Sequence, residues 1–462
     1  MNLATTAAGP VLPPLPASLP AAPVPAPGSV VEHTAHSGLR IVAVRRPRVP
    51  VVEIRLAVPF GGADAATAEL LAAVLVGGTG LRDRSGAEAV LGRAGGSLRV
   101  SVTPERLTVR GAVAADGLAP ALGVLGDLLA DARRPVDEVL EQRTRLGHRL
   151  SAYRARPQTA AREALLDHCF PGHPLTGEVP SPEPVAEVGA EQVAALHVRA
   201  LVPRGSRLVL VGDLDPAAAV GLAEHALAAW TAPHTAAVMP DVPVPVPGVV
   251  AVARPGARQV QVRLLAAAPR ADEPDHPAAH LAHLILGVSF GSRLTERLRE
   301  RDGLTYSVHT SLTDHPGRGL LTLDLDTSPA QLGGALSALR EELDRFAADA
   351  PPDPAETAAA RGYALGSLVI LLASQNGTAE LLQRLPIDTA AEEWLTRQPE
   401  RMERAGDAEI RAAAGAMGAA RFSGIVLTAP DRTERAAQEA TAAGFRPPAP
   451  AEEPESCRAA RL

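Results

Sequence analysis

The sequence predicts an α+β fold of two duplicated domains, each a mainly antiparallel sheet with helices packed on one face. Strand patterns occur in runs followed by helical patterns, without the strict alternation that a parallel sheet requires. The segment V-E-I-R-L at 52–56 recurs as V-Q-V-R-L at 260–264, an offset of 208 residues, and Gly78 and Gly287 are offset by 209. This near-constant offset indicates an internal duplication. A chain of 462 residues also exceeds a single core and fits two to three domains.

In the first half, alternating apolar residues predict two paired strands and, later, a hairpin. Apolar residues at helical spacing predict two helices before the hairpin and two after it. The predicted strands are 31–46 and 51–58, joined by R-P-R-V-P. The later elements, in chain order, are helices at 67–76 and 85–94, a hairpin formed by 97–103 and 106–113, and helices at 117–130 and 136–155.

The second half repeats this order of patterns. The predicted elements are strands 249–254 and 259–265, helices 277–286 and 292–301, a hairpin formed by 306–313 and 319–326, and a helix at 330–346. Composition then sets the domain limits: a flexible Pro/Ala-rich arm at 1–28, a first domain at 29–238, a proline-dense linker at 239–248, a second domain at 249–445, and a disordered tail at 446–462.

Composition excludes several functional classes. The chain has no lysine, which excludes Walker A loops, Schiff-base enzymes and Ser-Lys hydrolases. A net charge of −7 with interspersed signs, and no basic patch alternating with aromatics, argues against a nucleic-acid partner. Cys169 and Cys457 are far apart, which suits a reducing compartment. Because no stretch approaches the ~18 apolar residues of a membrane span and residues 1–28 do not read as a secretion signal, we predict a cytoplasmic protein without a membrane partner.

Residues 287–308 carry the most specific motif in the chain, G-V-S-F-G-S-R-L-T-E-R-L-R-E-R-D-G-L-T-Y-S-V. A loop of small residues opens a charged amphipathic helix, Gly303 ends that helix, and an alternating strand follows. This order predicts that Arg299 and Tyr306 lie in one constellation. A guanidinium and a phenol both donate hydrogen bonds to oxygen, so the pair is suited to hold a peptide carbonyl.

This segment resembles the C-terminal-domain signature of the insulinase and pitrilysin family of zinc peptidases, which includes the mitochondrial processing peptidase. The family pattern has a Gly/Ser loop, S-R-L, and then L-R-x-x-x-G-L-x-Y-x-V. Here it is met by Ser292, Arg293, Leu294, Leu298, Arg299, Gly303, Leu304, Tyr306 and Val308. The resemblance covers residues 30–445 and implies two sheet-and-helix halves that face each other across a cavity.

The family carries its zinc on an H-x-x-E-H helix just ahead of a G-T pair, which here stands at 78–79. Aligned on that pair, the two histidine positions fall on Glu69 and Ala73, and the catalytic glutamate falls on Ala72. Zinc hydrolysis needs three protein ligands, an open position for water and a base. The surrounding residues are almost wholly Ala, Leu and Val, so we interpret this segment as a core-facing helix.

The third zinc ligand of the family is a glutamate in a helix that ends before a proline. Counted back from Pro157, that position falls on His148 or Arg149, and no H-x-x-E-H or H-E-x-x-H occurs among the 13 histidines. These degenerate positions predict no metal and no cofactor in this chain.

The resemblance therefore implies a non-catalytic, substrate-binding subunit of a heterodimeric zinc metallopeptidase that cleaves peptides or leader segments and is inactive alone. A homologous partner would supply H-x-x-E-H and zinc. Arg299 would hold a substrate carbonyl and Tyr306 would stabilise the oxyanion, both acting in trans. Ser289, Gly291 and Ser292 of the small-residue loop would contact the peptide substrate.

Other patterns keep alternatives open. The same fold would also serve a structural or binding protein with no proteolytic role. Residues 287–291 satisfy G-x-S-x-G, the nucleophile elbow of serine hydrolases, but an apolar helical pattern precedes Ser289 where that elbow needs a strand. His276, His280 and His283 share one helical face, which is typical of either a metal site or a packed surface.

Overall fold

The computed structural model describes residues 28–78, 83–131, 134–289, 291–387 and 389–447. Apart from Gly28, Arg446 and Pro447, the predicted arm and tail lie outside these residues. The strands are β1 Val30–Thr34, β2 Arg40–Arg45, β3 Val51–Pro59, β4 Ser97–Val102, β5 Arg106–Ala114, β6 Arg207–Gly212, β7 Gly248–Ala253, β8 Val260–Ala268, β9 Ser307–His315, β10 Arg318–Thr327 and β11 Ser423–Thr428.

Fifteen α-helices are formed by the described residues. In the first half they are α1 Ala65–Val74, α2 Arg84–Arg93, α3 Leu118–Ala130, α4 Val136–Arg154, α5 Pro157–Cys169, α6 Pro182–Glu187, α7 Ala190–Ala200 and α8 Pro216–Ala226. In the second half they are α9 His276–Gly287, α10 Leu332–Asp344, α11 Pro354–Ala373, α12 Gln375–Arg384, α13 Ala391–Arg404, α14 Asp407–Gly415 and α15 Thr433–Ala442.

The two sheets have the same topology. The first has the strand order β1-β2-β6-β3-β5-β4 and the second β7-β11-β8-β10-β9. Within the described part of the chain, the second sheet lacks only a counterpart of β1. Each sheet contains one parallel pair, β2 with β6 and β7 with β11, and its other pairs are antiparallel. The predicted fold class, two duplicated and mainly antiparallel α+β units, is confirmed.

The predicted pairing of the first two strand patterns is wrong. Residues 31–46 form two strands, β1 and β2, which pair with each other. The strand β6 then lies between β2 and β3, parallel to β2 and antiparallel to β3. In the second half β11 takes the same place between β7 and β8. Both inserted strands arrive from distant parts of the chain, and strand alternation carries no information on such long-range order.

The duplication extends to individual hydrogen bonds. Arg55 of β3 is buried, and its Nη1 donates to the carbonyl oxygen atoms of Ile54 and of Gly111, the residue opposite Ile54 on β5. Arg263 is its counterpart on β8 and is also buried. Its Nη1 donates to the carbonyl oxygen atoms of Val262 and of Leu325, the residue opposite Val262 on β10. The V-E-I-R-L and V-Q-V-R-L segments therefore perform the same structural role in both sheets.

Each sheet also has a helix from the other half of the chain on its second face. Val42 and Val209 of the first sheet pack against α12, which belongs to the second half. Leu265 and Ile425 of the second sheet pack against α5, which belongs to the first half. Because each half contributes a helix to the sheet of the other, apolar residues are buried on both faces of each sheet. Burial of this apolar surface is the main source of the stability that holds the two halves together.

The segment between the halves is held by both of them. The amide of Gly61 donates to the carbonyl oxygen of Ala237 at 2.8 Å, and the amide of Val242 donates to that of Pro316 at 2.9 Å. Glu105 of the first half pairs with His315 of the second.

Among the described residues no single helix is both long and apolar enough to cross a membrane; α11 and α12 meet that test only as a pair, bent by 110°.

Candidate functional site

Arg299 and Tyr306 lie together, as the motif predicts. Arg299 belongs to a π-helical segment, Thr295–Arg301, and its Cζ lies 5.4 Å from the centroid of the Tyr306 ring. Tyr306 is 86% exposed although it is aromatic. Gly303, with φ of +61°, ends the helix in the left-handed region, where glycine is favoured. π-Helical turns occur frequently at functional sites, and this one places Arg299 against the ring of the exposed Tyr306.

The backbone that carries Tyr306 is fixed on both sides. Thr305 is buried, and its Oγ1 lies 2.6 Å from the carbonyl oxygen of Asp326 and accepts from the amide of Ser307 at 3.1 Å. Thr327 donates its hydroxyl to the carbonyl oxygen of Leu304 at 2.6 Å. The exposed phenol therefore stands on an ordered turn. Neither threonine could be predicted from the sequence, because a threonine beside a strand carries no signal of this role.

Other residues of the motif are structural. The Nε and Nη2 atoms of Arg293 donate to the two carboxylate oxygens of Glu356 at 2.7 and 2.6 Å, and this contact lowers the pKa of Glu356. The guanidinium also lies 5.1 Å from the ring centroid of Phe346. Leu294 and Leu298 are fully buried in the core of the second half. The S-R-L and L-R parts of the motif thus anchor the segment that presents Arg299.

The predicted substrate-binding loop divides into different environments. Ser289 is partly buried and Gly291 is exposed, whereas Phe290 lies outside the described residues. Ser292 is only 1% exposed, and its hydroxyl donates to Oγ1 of Thr295 at 2.9 Å. A peptide cannot reach that side chain, so the assignment of Ser292 to substrate binding is corrected to a structural role. Helix α9, not a strand, precedes Ser289, which is not the setting of a nucleophile elbow.

An ion pair occupies the degenerate zinc site. Glu69 on α1 and Arg149 on α4 approach to 3.4 Å between Oε2 and Nη2. Ala72 is buried and Ala73 is partly buried, and a methyl side chain offers neither a metal ligand nor a base. Of the two residues that the count from Pro157 left open, His148 is exposed and Arg149 makes the contact with Glu69.

These donors do not fit zinc. One carboxylate paired with a guanidinium is far from the three-ligand set of a hydrolytic zinc site, and a guanidinium cannot bind a cation. Within the described ranges, no group of three or more His, Cys, Asp or Glu side chains is arranged to hold a metal ion. No hydrolytic step is therefore derived through a metal bound to this chain.

A cavity of about 530 Å³ adjoins the degenerate site. It lies between the start of α1, the tip of the β4–β5 hairpin and the segment that follows α5. Burial raises the pKa of Glu69, which lines the cavity, although Arg149 opposes that shift. The lining residues are Phe60, Gly62, Ala63, Asp64, Ala65, Ala68, Glu69, Val102, Thr103, Pro104, Gly172, His173, Pro174, Thr176, Gly177 and Glu178.

The three histidines of α9 form a packed stack. The ring centroids of His276 and His280 are 5.8 Å apart, and those of His280 and His283 are 5.6 Å apart. Burial lowers the pKa of each to about 4, with neighbouring charges as a second cause: Arg401 at His276, and another histidine of the stack at His280 and His283. Asp272 partly opposes the shift at His276. The neutral rings contribute packing to this helix face.

We expect acidification to destabilise the fold through this stack. An unfolded histidine titrates near pH 6.5, so between pH ~6.5 and ~4 the unfolded chain binds protons that the folded stack does not. The free energy of unfolding should fall as the pH is lowered through that window. Urea denaturation at pH 7 and pH 5 measures the fall, which we expect to be roughly 2 kcal/mol smaller in His280→Leu than in the parent. His148→Ala, at an exposed histidine, is the control; equal pH responses in parent and His280→Leu would contradict the prediction.

Comparison with known proteins is consistent with the fold and the motif. Residues 187–362 match the family model described as the peptidase M16 inactive domain. The chain is 24% identical over 364 residues to an uncharacterized zinc protease of Mycobacterium leprae, covering 77% of this chain and 82% of that protein. It is 23% identical over 404 residues to an uncharacterized zinc protease of Mycobacterium tuberculosis, covering 85% and 92%.

Solved structures show the same fold. The peptidase M16 inactive domain from Pseudomonas fluorescens matches with a TM-score of 0.77 and 20% identity, over 87% of this chain and 98% of that one. A protease from Helicobacter pylori matches with a TM-score of 0.76 and 14% identity, over 87% and 100%. The resemblance to insulinase- and pitrilysin-type peptidases is thereby confirmed. Residues 187–362 are thus similar to the peptidase M16 inactive domain, and the chain has the fold of M16-type proteins.

Proposed function

We propose that this chain is the non-catalytic, substrate-binding subunit of an M16-type metallopeptidase whose homologous partner supplies H-x-x-E-H and zinc. The observation that carries the proposal is a contrast within the molecule. Tyr306 is 86% exposed on a fixed turn, and the half-buried Arg299, which also pairs with Glu300, lies against its ring, whereas the metal positions hold Glu69, Ala72 and Ala73. A chain of this kind binds a peptide bond and leaves its hydrolysis to a metal held elsewhere.

The chemistry assigned to each residue follows from its donors. The guanidinium of Arg299 donates hydrogen bonds and holds a substrate carbonyl oxygen. The phenol of Tyr306 donates to the oxyanion that forms when water attacks that carbonyl, in the manner of an oxyanion hole. A zinc ion held by H-x-x-E-H of the partner would supply the activated water. The substrate is an extended peptide or leader segment, and the pair of subunits encloses it.

A reconstitution experiment tests this division of roles. The purified chain alone is expected to show no zinc-dependent hydrolysis of a quenched fluorescent peptide library. Co-expression with an H-x-x-E-H homologue from the same genome is expected to give a complex whose activity is lost with a chelator and restored by zinc. Stoichiometric zinc and peptidase activity in the chain alone would contradict the proposal.

The same experiment separates the second candidate, a structural or binding protein with no proteolytic role. That candidate predicts a stable complex whose activity equals that of the H-x-x-E-H homologue by itself. The exposure of Tyr306 favours the subunit proposal, because a scaffold gains no stability from an aromatic ring that is 86% exposed.

A further inference from the structure

Leu304 connects the two residues of the proposed site through its backbone. Its amide donates to the carbonyl oxygen of Leu298 at 2.8 Å, and Leu298 directly precedes Arg299 in the π-helical segment. Leu304 also lies two residues before Tyr306, in the turn that leads into β9. A shift of Leu304 would therefore move the phenol of Tyr306 relative to the guanidinium of Arg299.

The junction between β10 and α10 holds Leu304 in place. Thr327, which ends β10, is 3% exposed, and its hydroxyl donates to the carbonyl oxygen of Leu304 at 2.6 Å. Gln331 donates from Nε2 to the carbonyl oxygen of the neighbouring Gly303 at 3.1 Å, but Gln331 is exposed, so water competes for this bond. The bond that is better shielded from water is the stronger one, which makes Thr327 the main contact of the junction with the turn.

The duplicated first half shows that a sheet of this kind does not need the hydroxyl. In the repeated V-E-I-R-L and V-Q-V-R-L segments, Val52 of β3 is the counterpart of Val260 of β8. Thr327 lies opposite Val260 on β10, and Val113 lies opposite Val52 on β5. Val113 is 1% exposed, so a valine fills the equivalent buried position. At this position the hydroxyl occurs only in the half that contains the Arg–Tyr motif, which favours a role in the site.

A second threonine of β10 shows the opposite pattern. Thr322 is 8% exposed, and its hydroxyl is hydrogen-bonded to that of Ser311 on β9 at 2.6 Å. In the first half the corresponding pair is formed by Thr108 and Ser101, at 2.7 Å. A hydroxyl that is present in both sheets serves the sheet itself. Thr322 is therefore a matched control for Thr327, on the same strand and with a hydrogen bond of the same length.

We infer that Thr327 is a positioning residue of the proposed site: its hydroxyl holds Leu304 and thereby keeps Tyr306 beside Arg299. The inference rests on the proposed function and adds to it a residue that does not touch the substrate. Thr327→Val removes the hydroxyl and keeps the β-branched shape. Because displacement of a reacting group by about 1 Å can cost roughly a hundredfold in rate, we expect this variant to lower kcat of the reconstituted complex about ten- to a hundredfold with little change in KM. Thr327→Ser should restore kcat.

Hydrogen exchange in the full chain, without a partner or zinc, tests the contact independently of proteolysis. Mass spectrometry follows the amides of residues 303–307, of which those of Leu304 and Ser307 are hydrogen-bonded. In Thr327→Val these amides should exchange roughly fivefold faster than in the parent, because the turn opens more easily without its buried bond. Thr327→Ser and the control Thr322→Val should exchange there at the rate of the parent. Unchanged exchange in Thr327→Val, or equal acceleration in Thr322→Val, would overturn the inference.

A double-mutant cycle in the reconstituted complex separates positioning from general damage to the fold. If Thr327 acts through the phenol, Thr327→Val should change kcat by less than about twofold in the Tyr306→Phe background. Thr322→Val should leave kcat unchanged in both backgrounds. If Tyr306→Phe were itself as active as the parent, the oxyanion role in the proposed function would fail, whereas hydrogen exchange would still decide whether Thr327 holds the pair in place. A fall in kcat by the same factor in both backgrounds would mean that Thr327 and Tyr306 act independently, and the inference would then be wrong.

Discussion

Tyr306→Phe is expected to lower kcat of the reconstituted complex by roughly two to three orders of magnitude, with little change in KM. The substitution removes only the phenolic hydroxyl and leaves the ring beneath Arg299. A single donor directed at a developing oxyanion is worth about 2.7–4 kcal/mol in the barrier, which corresponds to that loss of rate. Because Tyr306 is 86% exposed, the substitution should not alter folding or assembly. Steady-state hydrolysis of a quenched fluorescent peptide provides the measurement.

The chain contains a matched control for this substitution. Tyr153 also lies beneath an arginine, with Cζ of Arg156 5.4 Å from its ring centroid, and it is 43% exposed. Tyr153→Phe therefore removes a phenol from the same kind of pair at a place outside the proposed site, and we expect unchanged turnover. Hydrolysis by Tyr306→Phe at the rate of the parent complex would exclude the oxyanion role. A rise in KM with unchanged kcat would assign Tyr306 to ground-state binding instead.

Arg207→Met is expected to lower the free energy of unfolding by roughly 3–5 kcal/mol. Arg207 on β6 is 2% exposed, and its guanidinium joins the first sheet to the segment that follows α12. It donates to the carbonyl oxygens of Leu382, Leu385, Pro386, Ile387 and Thr389, at distances from 2.7 to 3.3 Å. Methionine fills a similar volume but donates no hydrogen bond. The carbonyl oxygens would then stay inside the protein without the donor that Arg207 provides, and this destabilises the folded state.

Chemical denaturation of both variants and the parent measures this effect. Arg207→Lys should be intermediate, because an ammonium keeps the charge but cannot reach several carbonyl groups with the planar geometry of a guanidinium. Arg404→Met is the control, since Arg404 is 79% exposed and makes one surface ion pair with Glu400. We expect that control to change stability by less than about 0.5 kcal/mol. If Arg207→Met changed the free energy of unfolding by less than about 1 kcal/mol, the hydrogen bonds between the halves would contribute little to stability.

Elements with a strong local pattern were predicted within a few residues. Helix α10 was predicted at 330–346 and is formed by Leu332–Asp344, and the β9–β10 hairpin was predicted from 306 to 326 and is formed by Ser307–Thr327. The apolar period of such segments depends only on neighbouring residues. By contrast, β6 is buried at every position, so it has no alternation from which a strand could be predicted.

The candidate site shows the same division. The motif at 287–308 predicted that Arg299 and Tyr306 lie together, because both belong to one helix–turn–strand unit, and the structure has them 5.4 Å apart. The motif did not separate exposed from buried positions, so Ser292 was assigned to substrate binding although it is 1% exposed. The contact of Glu69 with Arg149 joins two helices that are 80 residues apart in the chain, and sequence comparison left that position open between His148 and Arg149.

By itself the sequence determined the duplicated halves, the missing zinc ligands and the Arg299–Tyr306 unit, since each depends on residue identity or on local periodicity. The tertiary structure decided the rest: the insertion of β6 and β11, the exchange of α5 and α12 between the halves, and the cavity beside Glu69. These features depend on which apolar faces cover one another across long stretches of chain. That choice is made by the total surface buried in the folded molecule, which no local pattern encodes.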